Sequence, residues 1–159
     1  MKIKPLKTLR MPKKPSAGLR LCVKDLEMIE KDDRYMVYMG VWHQSDRSGK
    51  CQVCLGGARL ARYHNDPSST TFVYGDRRVR AMDFFRIYEF ATGLACYLFS
   101  SKGNYDSYAD GDIIQQIADT GIENRILNEL KVLTSYEGNP EQFKVNMYKA
   151  ADIMEKHGF

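Results

Sequence analysis

The sequence predicts a mainly α (α+β) protein: a single compact helical domain with a minor β element and an extended basic N-terminal arm. Three observations lead there. Apolar residues recur at helical spacing through the centre and the C-terminal third. The β-rich runs are short. Three prolines in the first fifteen residues (Pro5, Pro12, Pro15) bias the start towards extended backbone. At 159 residues, 43% hydrophobic and 28% charged, the chain has the length and composition of one domain with a real core. The boundaries expected are 1–17 for the arm and 18–159 for the domain.

The arm holds Lys2, Lys4, Lys7, Arg10, Lys13 and Lys14, and residues 1–20 contain no acid. With Arg20 they account for seven of the 24 Lys and Arg, leaving 17 against 20 acids in the rest of the chain. From residue 104 onward the balance is ten acids to five bases. Such polarity bears on partners, not on fold. The arm has no apolar block after its charges and is not read as a secretory leader.

"AGLRLCVKDLEMIEKDD" is expected to begin as a strand at Leu19–Val23 and continue as a helix to about Lys31. "RYMVYMGVWH" is the best strand, rich in β-branched and aromatic residues, and "QSDRSG" reads as a turn. From Cys51 to Tyr63 the periodicity favours a helix, with Cys51, Cys54, Leu55 and Ala58 on one face; Gly56 and Gly57 oppose it mildly. "TTFVY" is a short strand with a turn at Gly75. Asp76 then caps a long, broadly apolar helix carrying Phe84, Ile87, Ala91, Leu94 and Leu98, with Cys96 in the same setting. Thr120 and Glu123 form a capping box for a helix with Ile122, Ile126, Leu130 and Leu133 on one face. "EGNP" ends it. Asn139 as N-cap, Pro140 at the first position and Gln142 three beyond the cap start a last helix. It buries Phe143, Met147, Ala150 and Met154 and leaves Asn146, Lys149, Asp152 and Lys156 outside.

The sharpest motif is the Cys51-x-x-Cys54 pair in "KCQVCLGGARLARYH". Thiolates at that spacing converge on zinc when two further ligands are present. His43, His64, Cys22 and Cys96 are the candidates, and no second C-x-x-C or H-x-x-x-H accompanies the pair. The reading preferred is two small apolar residues in a core, so no metal ligands are assigned. A redox pair lacks the βαβ setting that usually carries it. "NYDSYADGDI" fails as a calcium loop, because with Gly111 at the sixth position Tyr108 and Ile117 fall where ligands are required. "LGGAR" lacks the length and lysine of a phosphate loop. His157, beside Gly158, reads as a helix C-terminal cation. No catalytic residue and no cofactor is assigned. Four cysteines in this length do not make a disulfide framework, which points to a reducing cytoplasm.

Trp42, then Cys51-Gln-Val-Cys54-Leu55-Gly56-Gly57-Ala58, then Arg80-Ala81-Met82-Asp83-Phe84-Phe85-Arg86 resembles a pattern in small proteins of tailed bacteriophages. The match covers about a quarter of the chain, with Gly56-Gly57 where many of those proteins have Ala-Gly. The resemblance implies a phage-encoded protein of the host cytoplasm and brings no fold or activity with it.

The function expected is therefore that of a phage-type accessory protein, binding rather than catalytic, that engages a host protein or host-defence component. Its surface would be Lys2, Lys4, Lys7, Arg10, Lys13 and Lys14. The alternative is a nucleic-acid or nucleotide surface built from Arg59, Arg62, Tyr63, Arg77, Arg78 and Arg80, where cations and rings interleave. A small zinc protein is the second alternative. No run approaches the roughly 20 apolar residues of a membrane helix, and a homodimer stays open.

Overall fold

A computed structural model describes residues 12, 14–41, 43–62, 71–74, 77–80, 121, 125, 128–129 and 135–159. Among them are three helices, α1 (Pro15–Ile29), α2 (Leu55–Ala61) and α3 (Pro140–Lys156). Three short strands, β1 (Tyr35–Val37), β2 (His43–Ser45) and β3 (Cys51–Val53), form one sheet. A hairpin of β4 (Thr71–Tyr74) and β5 (Arg77–Arg80) forms another. The architecture is α+β. The described residues fall into two compact units, one holding Leu21 through β5 and the other Pro12–Arg20 with α3.

The segment read as strand then helix is helical throughout. Pro15 occupies the first turn of α1, where its missing amide costs nothing. Leu19, Cys22, Val23, Leu26 and Ile29 then form one buried stripe at helical spacing. That stripe overrides the strand-like composition of Leu19–Val23. Each large side chain fully buried this way contributes about 1.5–3 kcal/mol.

The run around Val37 is two strands, not one. A turn at Tyr38–Val41 separates β1 from β2, and Gly40 lies against the Tyr38 ring there: a Cβ at that position would lie 2.7 Å from Tyr38 Cε1, so the exposed ring would have to swing aside. β3 inserts between them, parallel to β1 and antiparallel to β2. Register places Tyr35 and Ser45 beside Cys51, and Val37 and His43 beside Val53. Tyr35, Cys51 and Val53 are buried, whereas Met36 and Gln44, on the opposite face with Gln52, are exposed.

The β2–β3 turn falls where "QSDRSG" predicts it. Asp46 Oδ1 accepts from the amides of Ser48 and Lys50 at 2.8 and 2.9 Å, and Ser48 Oγ donates to the same carboxylate. Those bonds, the Ser48 side chain's first, hold the Asp46 carboxyl below its ordinary range. Gly49 supplies the positive φ (+83°).

The hairpin strand β4 matches "TTFVY". Arg77–Arg80, expected in the first turn after an Asp76 cap, are instead strand β5, with Arg80 opposite Thr71 and Arg77 opposite Tyr74. The long apolar helix and the helix behind the Thr120–Glu123 capping box lie outside the described residues.

α3 follows its sequence signals closely. Asn139 Oδ1 accepts from the Gln142 amide at 3.0 Å, and Pro140 opens the helix. At the other end His157 is the C-cap, and Gly158 has φ +91°. The Phe159 amide bonds Met154 O at 3.1 Å and the Gly158 amide bonds Glu155 O at 3.0 Å, the pair of bonds that closes a helix on a left-handed glycine. Phe143, Met147, Ala150 and Met154 are buried and Lys149, Asp152 and Lys156 exposed, as the stripe requires. Asn146 departs from it: fully buried, its Oδ1 accepts from Gln142 Nε2 at 2.9 Å. In the same unit Arg20 reaches Asp152 and Glu155, both at 2.6 Å, and Ser16 Oγ donates to Phe159 O at 2.5 Å.

Candidate functional site

Two buried clusters absorb most of the residues that the sequence singles out. The first is a carboxylate held between two guanidiniums. Asp25 sits on the apolar stripe of α1, three residues after Cys22 and four before Ile29, and is 2% exposed. An ionised group there requires partners. α2 and the residue that follows it supply them: Arg59 Nη1 donates to Asp25 Oδ2 and Arg62 Nη1 to Asp25 Oδ1, each at 2.7 Å. Arg59 and Arg62 are one helical step of three apart, which brings both to one carboxylate. Arg59 is itself 6% exposed. Arg62 also lies against the Met28 sulfur.

Arg59, expected in a nucleic-acid or nucleotide surface, is enclosed together with its carboxylate. Arg62, half-buried, is drawn to the same carboxylate. Tyr63 lies outside the described residues. Arg77, Arg78 and Arg80 are placed on β5 by the hairpin register. Of the arm, Lys2, Lys4, Lys7, Arg10 and Lys13 lie outside the described residues, and Lys14, just before α1, is exposed.

The second cluster is the thiols. Cys22, Cys51 and Cys54 are all buried. Packing is as expected, but the element is not: Cys51 belongs to β3, and only from Leu55 is the segment helical. Cys54 is the N-cap of α2. Its carbonyl accepts the first helical bond from Ala58 at 2.8 Å, and its Sγ accepts from the Gly57 amide at 3.4 Å. Gly56 and Gly57 are buried inside that first turn. Burial, and after it the Asp25 carboxylate, pushes the Cys22 thiol well above its ordinary pKa. A protonated, enclosed thiol is a poor nucleophile and a poor metal ligand. Among the described residues no three His, Cys, Asp or Glu side chains group as a metal site. Cys96 and His64 lie outside those residues.

Sequence reasoning missed Asp25 as a hub. A signal existed: in "LCVKDLEMI" the aspartate falls on the same helical face as Cys22, Leu26 and Ile29, once the segment is read as helix throughout.

No protein family, no curated protein and no solved structure matches the chain. No helix among the described residues is long and apolar enough to cross a membrane.

Proposed function

We propose that the chain is a non-enzymatic interaction protein of the phage accessory type, mainly helical, acting in the host cytoplasm on a host protein or host-defence component. Its binding surface is the basic segment Lys2, Lys4, Lys7, Arg10, Lys13 and Lys14, and the partner presents an acidic face. The observation that carries this reading is the closure of Arg59 and Arg62 on Asp25. Arg20 and Arg34 are likewise drawn to carboxylates, Asp152 with Glu155 and Asp32. These four arginines thus serve internal pairs, while the N-terminal segment is rich in base and has no acid of its own. Complementary charge then governs encounter and partner choice.

The test replaces the six arm residues with glutamine and compares capture of a host component, identified by mass spectrometry, with that of the unaltered chain. Capture about tenfold weaker or worse, at an unchanged melting temperature, is the expected result. Undiminished capture, or loss of the fold, would contradict the proposal.

A second reading keeps one observation of its own: β5 consists of Arg77, Arg78, Val79 and Arg80 on a single paired strand. Nucleic-acid or nucleotide binding there requires affinity that falls steeply with salt in a gel-shift series. Flat or absent binding removes it.

A further inference from the structure

The three-stranded sheet turns one face to the core and leaves the other open. Register sets Met36, Gln52 and Gln44 in one row across β1, β3 and β2 on the open face. By alternation Tyr38 and Lys50 fall on the same side. Met36 is 40% and Tyr38 45% exposed, Gln44 and Lys50 are exposed, and Gln52 is half-buried. The Tyr38 ring lies against Gly40, where no side chain pushes it off.

The β2–β3 turn adds charge to this face. The Asp46 amide donates to Lys50 O at 2.8 Å and the Gly49 amide to Asp46 O at 3.3 Å, which fixes the tip with Arg47 and Lys50 in the open. The Asp46 carboxylate is held by the Ser48 and Lys50 amides and the Ser48 hydroxyl. Arg34 is taken by Asp32. Among the described residues no carboxylate pairs with Arg47 or Lys50, and the side-chain amides of Gln44 and Gln52 make no hydrogen bond. A ring, two amides and two cations thus share one exposed surface.

We propose that the open face of this sheet binds single-stranded nucleic acid, with a base on Tyr38 beside Met36, base edges on Gln44 and Gln52, and phosphates on Lys50 and Arg47. Each part has its chemistry. Unpaired bases stack on aromatic side chains, and phosphates take cations. A glutamine amide carries both donors and an acceptor, as a base edge does, and a thioether favours the edge of an aromatic ring. An acidic peptide would use the cations alone. A duplex keeps its bases stacked on one another and gives the ring nothing. Arg34, beside Lys50 in register, is four residues from Tyr38, about 13 Å along the strand. That span suits a short run of extended strand better than one nucleotide. None of these residues belongs to the N-terminal basic segment or to β5, so the test is independent of both readings.

The anisotropy of a fluorescein-labelled single strand of about 12 nucleotides is expected to rise and saturate as protein is added at low salt. The same sequence as a duplex binds about tenfold more weakly or worse. Tyr38→Ala weakens single-strand binding about fivefold or more, and Tyr38→Phe keeps it. Gln44→Glu, which sets a negative charge in the exposed row, weakens it at an unchanged melting temperature. Lys50→Gln lowers the slope of log affinity against log salt by about 0.7, one phosphate's share. The Tyr38→Ala and Gln44→Glu losses persist when the six residues of the N-terminal basic segment are glutamine. Absence of binding at low salt overturns the proposal, as does a duplex bound as tightly as the single strand. So does binding indifferent to both Tyr38→Ala and Gln44→Glu. Full displacement of the strand by polyglutamate at equal charge concentration also overturns it, since that marks a site for an acidic peptide.

Discussion

Asp25 and Arg59, 34 residues apart and both buried, meet at 2.7 Å. The carboxylate is shared with Arg62, so removing it leaves two guanidiniums without their common counter-charge. Asp25→Ala is expected to cost about 3–5 kcal/mol, the range for breaking a buried pair from one side. Urea unfolding at neutral pH measures it.

Tyr35 gives the chain a specific alkaline limit. Burial pushes its phenol up from 10.0 to about 12. The folded state therefore holds this proton more tightly than the unfolded state does. Its contribution is complete below about pH 10 and is lost as pH rises from about 10 to about 12, to the extent of ~2–3 kcal/mol. Tyr35→Phe removes that slope. Stability of the two chains, measured at several pH values in the window, is expected to diverge as pH rises, the phenylalanine chain losing less.

Cys54 acts as a cap, which separates two substitutions that a metal ligand would treat alike. Cys54→Ala removes the acceptor for the Gly57 amide and costs ~0.5–2 kcal/mol. Cys54→Ser keeps an acceptor and costs less. In the same protein a thiol reagent is expected to label Cys22 far more slowly before denaturation than after it, given its enclosure beside Asp25.

Asn139→Ala tests the start of α3. Losing the bond from the Gln142 amide costs about 1 kcal/mol and lowers the melting temperature, while Asn139→Asp retains the acceptor and most of the stability.

These caps also mark how far the sequence was legible. Asn146 apart, α3 could be read from end to end, because Asn139, Pro140 and Gly158 act locally and the stripe from Phe143 to Met154 repeats over about three turns. The Asp46–Gly49 turn and β4 were legible for the same reason. Short apolar runs were not. Cys51, Val53, Cys54 and Leu55 satisfy both a strand period and a helix period, and the choice is made by β1 and β2, which lie on either side of β3 in space. Leu19–Val23 has strand-like composition but sits on a stripe that continues to Ile29. Tyr35–His43 has the composition of one strand, yet the turn over Gly40 gives its halves different roles. Arg59 looked like surface because arginine usually is, and its burial depends on an aspartate 34 positions earlier. Long-range pairing of that kind leaves only a weak local trace.

Whether Arg59 and Arg62 serve the fold or an outer surface is tested most directly by a double-mutant cycle between Asp25 and Arg59. Asp25→Ala, Arg59→Ala and the double replacement are compared by equilibrium unfolding. A coupling of about 2 kcal/mol or more is predicted, with the double replacement much less costly than the two single losses together. Additive losses, with coupling below about 0.5 kcal/mol, would contradict the internal pair and return Arg59 to the list of surface cations.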